Sequence, residues 1–180
     1  MPRSDQSQTA ILGALSIMPM TGYSLREQIR DTLGHFWSES FGQIYPTLAE
    51  LERQALVERE QTNDSRSTTY RITPSGTEQL RRLLAEPPHE PKPRNGLMLR
   101  LFFGAQIGPE KSADLVTQAR QSAEKRLAEL STARAELLED TRLATDAPYV
   151  LLTIAAGEHA ARATIEWADE ALMELSKITQ

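Results

Sequence analysis

The sequence predicts a mainly α-helical protein with a small β-hairpin in its N-terminal half. Apolar residues recur three or four positions apart over most of the 180 residues, as they do along one face of a helix. Residues 56–62 and 68–73 instead alternate between apolar and polar side chains, as strands do. The stretch "AEPPHEPKPRNG" holds four prolines, which a helix interior does not tolerate. We therefore expect two domains, 5–86 and 96–180, joined by a proline-rich linker at 87–95.

Three short helices are predicted before the hairpin. The first covers 9–18 and ends at Pro19, and the second follows Thr21, a suitable N-cap. The third lies within 40–59, beyond the tight turn "GHFWSES". Each helix carries apolar residues along one face, namely Ile11, Leu12, Leu15 and Met18, then Leu25, Ile29 and Leu33, then Ile44, Leu48, Leu51 and Ala55.

The hairpin and a fourth helix complete the first domain. The two strand-like segments are joined by the polar turn "NDSRS". A helix over 73–86 follows, with Leu80, Leu83 and Leu84 as its apolar residues and Thr73 or Ser75 as its N-cap. Three helices, two strands and a helix, in this order, are typical of a winged helix-turn-helix domain.

The second domain is predicted to be helical throughout. A short apolar helix over 96–107 precedes Gly108 and Pro109, which open a long helix because proline fits its first position. An apolar stripe that Arg134 interrupts follows the long helix, through Val116, Ala119, Ala123, Leu127, Leu130 and Leu137. The last helix starts near Pro148 and runs to the C-terminus.

The last helix carries an apolar seam whose spacing alternates between three and four residues, as in a coiled coil. Glu158 breaks this seam. Two long helices with narrow apolar stripes lack a globular core of their own, so we expect them to pack against each other and against a second copy of the chain. The second domain is thus predicted to be a dimerisation domain, with an interface of Leu151, Ile154, Ala161, Ile165, Ala168, Leu172 and Leu175.

Composition narrows the class of protein. The net charge of −5 argues against a protein that coats nucleic acid through bulk positive charge. Residues 1–85 are nearly neutral, and all their bases are arginines, which can bind phosphate through two hydrogen bonds. Cysteine is absent, which excludes disulfides. No signal-peptide pattern and no apolar run of ~20 residues occurs, so we expect a soluble, cytoplasmic protein with no membrane partner.

The sequence offers no pattern of a catalytic site. His35, His89 and His159 have no carboxylate or second histidine at metal-ligand spacing. Neither a GxSxG motif nor a glycine-rich phosphate loop is present. We therefore expect no enzyme activity, no metal and no cofactor.

A DNA-binding function explains the proline near the start of the third helix. In a helix-turn-helix domain this helix enters the major groove with its N-terminal residues against the bases, so small or hydrogen-bonding side chains suit its first turn. Pro46 there removes a bond to the Gly42 carbonyl, close to the helix start where N–H groups are unpaired anyway. The hairpin turn then forms the wing, in which Arg66 lies near phosphates and Arg71 supports it. The predicted DNA-binding residues are Thr21, Tyr23, Ser38, Ser40, Gln43, Tyr45, Pro46, Thr47, Arg66, Ser67, Thr68 and Arg71.

Simpler interpretations stay open for these residues. Residues 38–47 can be a capped helix start with no further role, and Arg66 taken by itself can be a solvated loop arginine. The order of the elements favours the DNA-binding interpretation. The rival from another class is a ligand-binding or scaffolding protein whose winged helix docks protein rather than DNA.

Three segments, "SFGQIYPTLAELERQALVERE", "TYRITPSG" and "LRLFFGAQIGPE", resemble the PadR family of bacterial transcriptional regulators. The family hallmark of Tyr-Pro followed by Leu-x-x-Leu-Glu is matched here by Tyr45, Pro46, Leu48, Leu51 and Glu52. The likeness runs nearly end to end and fits the longer subgroup with a virulence-activator-like helical C-terminal region. It implies a homodimer that binds an operator on double-stranded DNA, most often as a repressor, and that in some members leaves the operator when a phenolic or drug-like molecule binds. Two recognition helices held about one DNA turn apart by such a dimer predict an operator that is an inverted repeat.

The wing departs from the family pattern. Family members often carry Gly-Arg-x-x-Lys there, whereas "SRSTTY" offers Arg66. Fewer phosphate contacts would make DNA binding less sensitive to salt.

Aromatic residues suggest a pocket for a flat effector between the two domains. The candidates are Phe36, Trp37, Phe102, Phe103, Tyr149 and Trp167. The alternative is that these side chains serve core or interface packing.

Overall fold

The computed structural model describes residues 3–34, 36–37, 41–60, 68–88, 94–139 and 146–178. The chain divides into two compact units, Met1–Pro91 and Lys92–Gln180. The first unit has the predicted order of helices and strands except for one additional two-residue strand, Met20–Thr21, between the first two helices, and the second unit is helical. The predicted fold class is confirmed.

In its described residues, the first unit has four α-helices and a three-stranded antiparallel sheet. Its elements are α1 Arg3–Ile17, β1 Met20–Thr21, α2 Gly22–Gln28, α3 Phe41–Arg53, β2 Val57–Glu60, β3 Thr69–Ile72 and α4 Pro74–Ala85, and one π-helical turn, Ile29–Leu33, continues α2. The strand order is β1-β3-β2, and Val57 pairs with Ile72 at one end of the hairpin and Glu60 with Thr69 at the other. The hairpin strands lie where the sequence predicted them.

Apolar faces of the helices and of β2 form the core of the first unit. Its most deeply buried members are Ile11, Leu12, Leu15, Leu25, Ile44, Leu48, Leu51 and Val57. Three of the apolar residues that define the predicted helical patterns do not lie on a buried helix face. Met18 is exposed because α1 ends at Ile17. Ala55 lies beyond α3 with a positive φ of 55°, and Leu84 lies on the outer side of α4.

Close backbone packing joins α4 to the start of the hairpin. The hydroxyl of Thr73 accepts the Gly76 N–H at 3.0 Å, so Thr73 is the N-cap, and the same hydroxyl lies 2.8 Å from the Ala55 carbonyl. A Cβ on Gly76 would overlap the carbonyl oxygen of Leu56. The glycine of "TPSG" is therefore required by contact with backbone, which cannot move aside as a flexible side chain can.

The second unit consists of α5 Gly96–Phe102, a 3-10 turn at Gly104–Gln106, α6 Gly108–Glu139 and α7 Ala147–Ile178. Asn95 caps α5 by accepting the N–H groups of Leu97 and Met98 at 3.0 and 3.1 Å. The predicted helix over 96–107 is thus two shorter pieces. Within the described residues, no helix is both long enough and apolar enough to span a membrane.

The helices α6 and α7 pack side by side along most of their length. The buried residues of α6 include Val116, Ala123 and Leu130, each seven positions after the last, and Ile154, Ala161 and Ala168 repeat this spacing on α7. At Gly157 the helices come so close that a Cβ would lie 2.8 Å from the Leu130 Cδ1. The seven-residue repeat accounts for the predicted pairing of these two helices.

The two interruptions of the apolar stripes meet each other. Arg134 donates two hydrogen bonds to the Glu158 carboxylate, at 3.0 and 3.1 Å, and Arg162 donates one at 3.3 Å. The Glu158 side chain is 8% exposed, whereas both arginines keep more contact with solvent. Hydrogen bonding to Arg134, in first place, lowers the pKa of Glu158 against the opposing effect of burial.

Replacing Gly76 tests the packing of α4. We expect Gly76→Ala to lower the free energy of unfolding by about 1–3 kcal/mol, since the new methyl group meets backbone. Gly13→Ala is the matched control, because a Cβ there meets no atom within 4 Å in the interior of α1. That change should stabilise the protein by about 0.5–1 kcal/mol. Urea unfolding monitored by circular dichroism measures both, and equal effects of the two substitutions would contradict the assignment.

Replacing Arg134 tests the ion cluster. Arg134→Met leaves the Glu158 carboxylate buried without its main partner, so we expect a lower melting temperature. Adding Glu158→Met should restore much of the loss, because two apolar residues then face each other. The lowered pKa of Glu158 stabilises the fold above the usual carboxyl range, and this contribution is lost as pH falls through the lowered value. Arg134→Met should therefore move the onset of acid unfolding to higher pH, and an unchanged onset would argue against the pairing.

Candidate functional site

The exposed face of α3 is the main candidate surface in the first unit. Ile44, Leu48 and Leu51 are buried in the core, so the opposite face of the helix meets solvent. The exposed residues in its N-terminal half are Gly42, Gln43, Tyr45, Pro46 and Ala49. Residues 41–49 carry no charged side chain. This half of the helix can approach a polyanion without bringing a carboxylate close to it.

Pro46 lies inside α3 without ending it, since the helix continues to Arg53. The residue four positions earlier, whose carbonyl it leaves unpaired, is Gly42, which is exposed like Pro46 itself. The predicted position of the proline within the third helix is confirmed. Of the neighbouring candidates, Thr47 is half-buried, and Ser38 and Ser40 lie outside the described residues.

The start of α2 lies against α3 through a contact of Tyr45. The Thr21 hydroxyl accepts the Ser24 N–H at 3.1 Å, and the Ser24 hydroxyl accepts the Thr21 N–H at 2.9 Å, which is a capping box. A Cβ on Gly22 would lie 2.6 Å from the Tyr45 Cε1, so the ring packs directly on the backbone of α2. Tyr45 remains 58% exposed, and Tyr23, which follows Gly22 in the chain, is exposed as well. The structure thus brings Thr21, Tyr23 and Tyr45 into one surface region.

One arginine of the hairpin, Arg71, is held in an ion pair across the two strands. Arg71 on β3 donates to the Glu60 carboxylate at 2.6 Å. Glu60 is the diagonal neighbour of Arg71 across the strands, because the residue directly opposite is Glu58. Thr68 is exposed just before β3, whereas Arg66 and Ser67 lie outside the described residues. Sequence reasoning missed the Glu60 partner, since a cross-strand pair depends on the hairpin register.

Acidic partners accompany other arginines of the first unit as well. Arg59 lies 2.8 Å from Glu52 and over the ring of Tyr70. Hydrogen bonds, first from Arg53 and then from Gln54, lower the pKa of Glu50 to about 2. Further pairs join Arg30 to Glu27 and Arg81 to Glu78. Much of the positive charge of this unit is therefore compensated within the chain.

The predicted interface residues of α7 divide into two groups. Ile154, Ala161 and Ala168 are buried within a single chain, where α7 packs on α6. Leu151, Ile165, Leu172 and Leu175 are half-buried. The strongly exposed apolar side chains among the described residues of this unit are Leu99, Phe102, Phe103, Leu138, Tyr149, Leu152, Met173 and Ile178. Part of the seam therefore packs against α6 within one chain. Its predicted role as a dimer interface stays a prediction.

The six predicted effector residues do not form one cluster within either unit. Phe36 and Trp37 line a cavity of about 390 Å³ in the first unit. Phe103 lines a groove of about 580 Å³ in the second unit, and its ring lies edge-on to that of Phe102 at 5.1 Å between centroids. Tyr149 is exposed near the start of α7, and Trp167 is half-buried farther along it.

Within the described residues, no group of three or more histidine and acidic side chains is arranged to hold a metal ion. The exposed surface of α3, beside the hairpin, displays amide, hydroxyl and aromatic groups. Such groups can make hydrogen bonds and apolar contacts to a partner.

Two family models match the chain, one in each unit. Residues 11–82 match the transcriptional regulator PadR-like family, and residues 93–176 match the virulence activator alpha C-terminal family. The negative transcriptional regulator PadR of Bacillus subtilis is 27% identical over 135 residues, 72% of this chain and 73% of that protein. The probable transcriptional regulator Rv1176c of Mycobacterium tuberculosis is 28% identical over 175 residues, 89% of this chain and 93% of that protein.

Solved structures share the fold over nearly the whole chain. Bacillus subtilis PadR in complex with operator DNA has a TM-score of 0.80 at 23% identity and covers 93% of this chain and 98% of its own. The same protein in complex with p-coumaric acid has a TM-score of 0.77 at 22% identity, with coverage of 94% and 98%. These likenesses establish a winged-helix domain followed by a helical C-terminal domain.

Proposed function

The chain belongs to the PadR-like family of transcriptional regulators, and we propose that it represses transcription in the cytoplasm by binding a specific operator as a homodimer. The observation that carries this proposal is the uncharged, exposed N-terminal half of α3, presented on a winged-helix fold. The solved complex of the Bacillus subtilis relative with operator DNA supports it.

In this proposal α3 enters the major groove and reads base edges. Gln43 is exposed in the first turns of α3, and a glutamine amide can pair with both N6 and N7 of adenine. Tyr45, held against the backbone of α2, places a phenol hydroxyl on the same surface. Gly42 and Pro46 add little side-chain volume to this surface, so the helix backbone beside Tyr45 can approach the duplex closely.

Two copies are needed because one winged helix gains little from charge. Many described arginines of the first unit are already paired with acids, so phosphate contacts should be few. Two copies held at a fixed spacing bind more tightly through their effective concentration. We propose that the second unit, with its half-buried seam and exposed apolar side chains on α5 and α7, joins the copies. The operator should then be an inverted repeat with half-sites about 34 Å apart, or a multiple of this distance.

We also propose that a small aromatic effector controls this repressor. The complex of the Bacillus subtilis relative with p-coumaric acid supports control by such a molecule. The effector would release the repressor by binding more tightly to a form of the protein with lower affinity for the operator.

The rival function is docking of a protein partner by the winged helix. Titration of this protein with its own upstream intergenic DNA and with random DNA, at two salt concentrations, separates the two. We expect a preference for the upstream DNA by about 4 kcal/mol or more, since specific binding typically exceeds nonspecific binding by this much. Equal affinity for both would favour the rival.

Gln43→Ala should relax base preference at one position in each half-site. The lost bidentate contact is worth about 1–3 kcal/mol of discrimination, while affinity for random DNA should stay nearly unchanged. Gln54→Ala, beyond the C-terminal end of α3, is the matched control. Fluorescence anisotropy with single-base operator variants measures the effect. A uniform loss on all sequences would mean that Gln43 contacts the DNA backbone alone.

Glu60→Gln should strengthen DNA binding by releasing Arg71 from its ion pair. The plot of log affinity against log salt concentration should steepen by about one unit if Arg71 then contacts a phosphate. Glu78→Gln is the control for this change, since it removes the acidic partner of Arg81 on α4. Equal slopes for Glu60→Gln and Glu78→Gln would argue against a hairpin contact with DNA.

Arg66→Ala tests the wing separately. This change should make the slope of log affinity against log salt concentration shallower by about one unit, because one wing contact is lost.

A further inference from the structure

The core-facing side of β2 changes from apolar to charged as the strand leaves the core. Val57 is almost fully buried. Arg59 lies on the same side of the strand, two residues farther on, because side chains alternate between the two faces of a sheet. Glu58 and Glu60 take the opposite side. A cation therefore stands where the pattern of the strand calls for an apolar residue.

Arg59 is held at this point by groups from two other elements. Its Nε lies 2.8 Å from the Oε1 of Glu52, in the last turn of α3. Its guanidinium carbon lies 5.9 Å from the ring centre of Tyr70, the residue opposite it on β3, and a cation at this distance is attracted to an aromatic face. Tyr70 pairs with Met20 on β1 and packs against the core. Arg59 thus connects α3 to the hairpin beyond the end of the apolar core.

Glu52 differs in its partner from Glu50, another carboxylate in the last turn of α3. Negative charge is unfavourable there, because the C-terminal end of a helix is the negative end of its dipole. Glu50 accepts hydrogen bonds from Arg53 of the same helix and from Gln54 just beyond it. These contacts are local, whereas the ion pair of Glu52 forms only when α3 and the hairpin keep their observed relative positions.

We propose that Glu52 and Arg59 are positioning residues that fix the angle between the hairpin and α3, and so allow both to contact one DNA site. This inference rests on the proposed function, in which α3 enters the major groove while the hairpin lies on the neighbouring backbone. A hairpin that can swing about its root, where Val57 pairs with Ile72, is ordered only on binding, and that ordering lowers affinity.

Charge and position predict opposite effects of removing the Glu52 carboxylate. DNA is a polyanion, so the loss of a negative charge should by itself strengthen binding and release Arg59 toward phosphate. A carboxylate that positions the hairpin should instead weaken operator binding when it is removed. The sign of the change separates a positioning role from simple compensation of charge.

Glu52→Gln tests this sign, and Glu50→Gln is its matched control, because both remove one carboxylate from the same helical turn. We expect Glu52→Gln to bind the operator severalfold more weakly than the wild type and Glu50→Gln to bind it at least as tightly. Fluorescence anisotropy measures the affinities. An exposed ion pair adds little to stability, so both variants should melt close to the wild type. Operator affinity of Glu52→Gln equal to or above that of the wild type would overturn the proposal.

Two introduced cysteines report the position of the hairpin without DNA. The chain has no cysteine, so Ala49→Cys on α3 and Thr68→Cys on the hairpin, both at exposed positions, carry the only two spin labels. Mixing with excess unlabelled protein suppresses distances between copies. We expect electron–electron double resonance to show a broader distance distribution after Glu52→Gln and the parent distribution after Glu50→Gln. An equally narrow distribution after Glu52→Gln would contradict the positioning role.

Exchange of the two charges keeps the proposal testable if Glu52→Gln fails to fold. Glu52→Arg by itself places two cations together and should broaden the distance distribution. Adding Arg59→Glu restores an ion pair and the wild-type net charge, so the distribution should narrow and operator affinity should recover in part. A double variant no better than Glu52→Arg in both measurements would refute the pairing as the cause.

The two measurements also separate this inference from the proposed function. Failure of the wild type to prefer its own upstream DNA would overturn the proposed function. The distance measurement contains no DNA, and it would still decide whether Glu52 and Arg59 hold the hairpin against α3.

Discussion

Burial of Ile44, Leu48 and Leu51 in the core of the first unit sets the orientation of α3, and the candidate recognition surface depends on that orientation. Because these three side chains are almost fully covered, the helix cannot rotate without exposing them, at a cost of about 1.5–3 kcal/mol each. Gln43, Tyr45 and Pro46 are therefore held toward solvent. Tyr45 adds a second constraint, since its ring lies on the backbone of Gly22 and fixes the start of α2 against the same surface.

The second unit relies on a different interaction. Small and apolar residues at seven-residue spacing bring α6 and α7 together, but such a stripe by itself permits the helices to slide by one repeat. The Arg134–Glu158 pair restricts this freedom, because any other register buries Glu158 without Arg134. A buried ion pair contributes little net stability, and its value here lies in selecting one alignment. The proposed dimer would need such a fixed alignment to hold two copies of the chain at one spacing.

Much of the fold could be predicted because the patterns are local. The helical spacing of Ile44, Leu48 and Leu51, the alternation in the hairpin and the caps at Thr21 and Thr73 each depend on residues close together in the chain. The strand β1 was missed because two residues are too few to show alternation. Met18 was misplaced because helical spacing alone does not show where a helix stops.

The candidate site was less predictable because its interactions are not local. Arg71 was expected to support a wing contact, and its pairing with Glu60 depends on the register between two strands. Arg134 and Glu158 were each recognised as interruptions, but their contact requires the alignment of two helices. The aromatic residues were grouped by type, whereas the structure places Phe36 and Trp37 in a cavity of the first unit and Phe103 in a groove of the second. Composition shows which side chains are present, and tertiary packing decides which of them meet.

Methylation interference on the upstream DNA of this protein tests the central claim most directly, namely that the exposed face of α3 reads a duplex through its major groove. Guanine N7 lies in the major groove and adenine N3 in the minor groove, so methylation at each position reports on a different groove. The account predicts that N7 methylation interferes with binding at two segments related by a two-fold axis, one helical turn or a multiple apart. Interference confined to adenine N3, or no interference beyond that seen with random DNA, would contradict it.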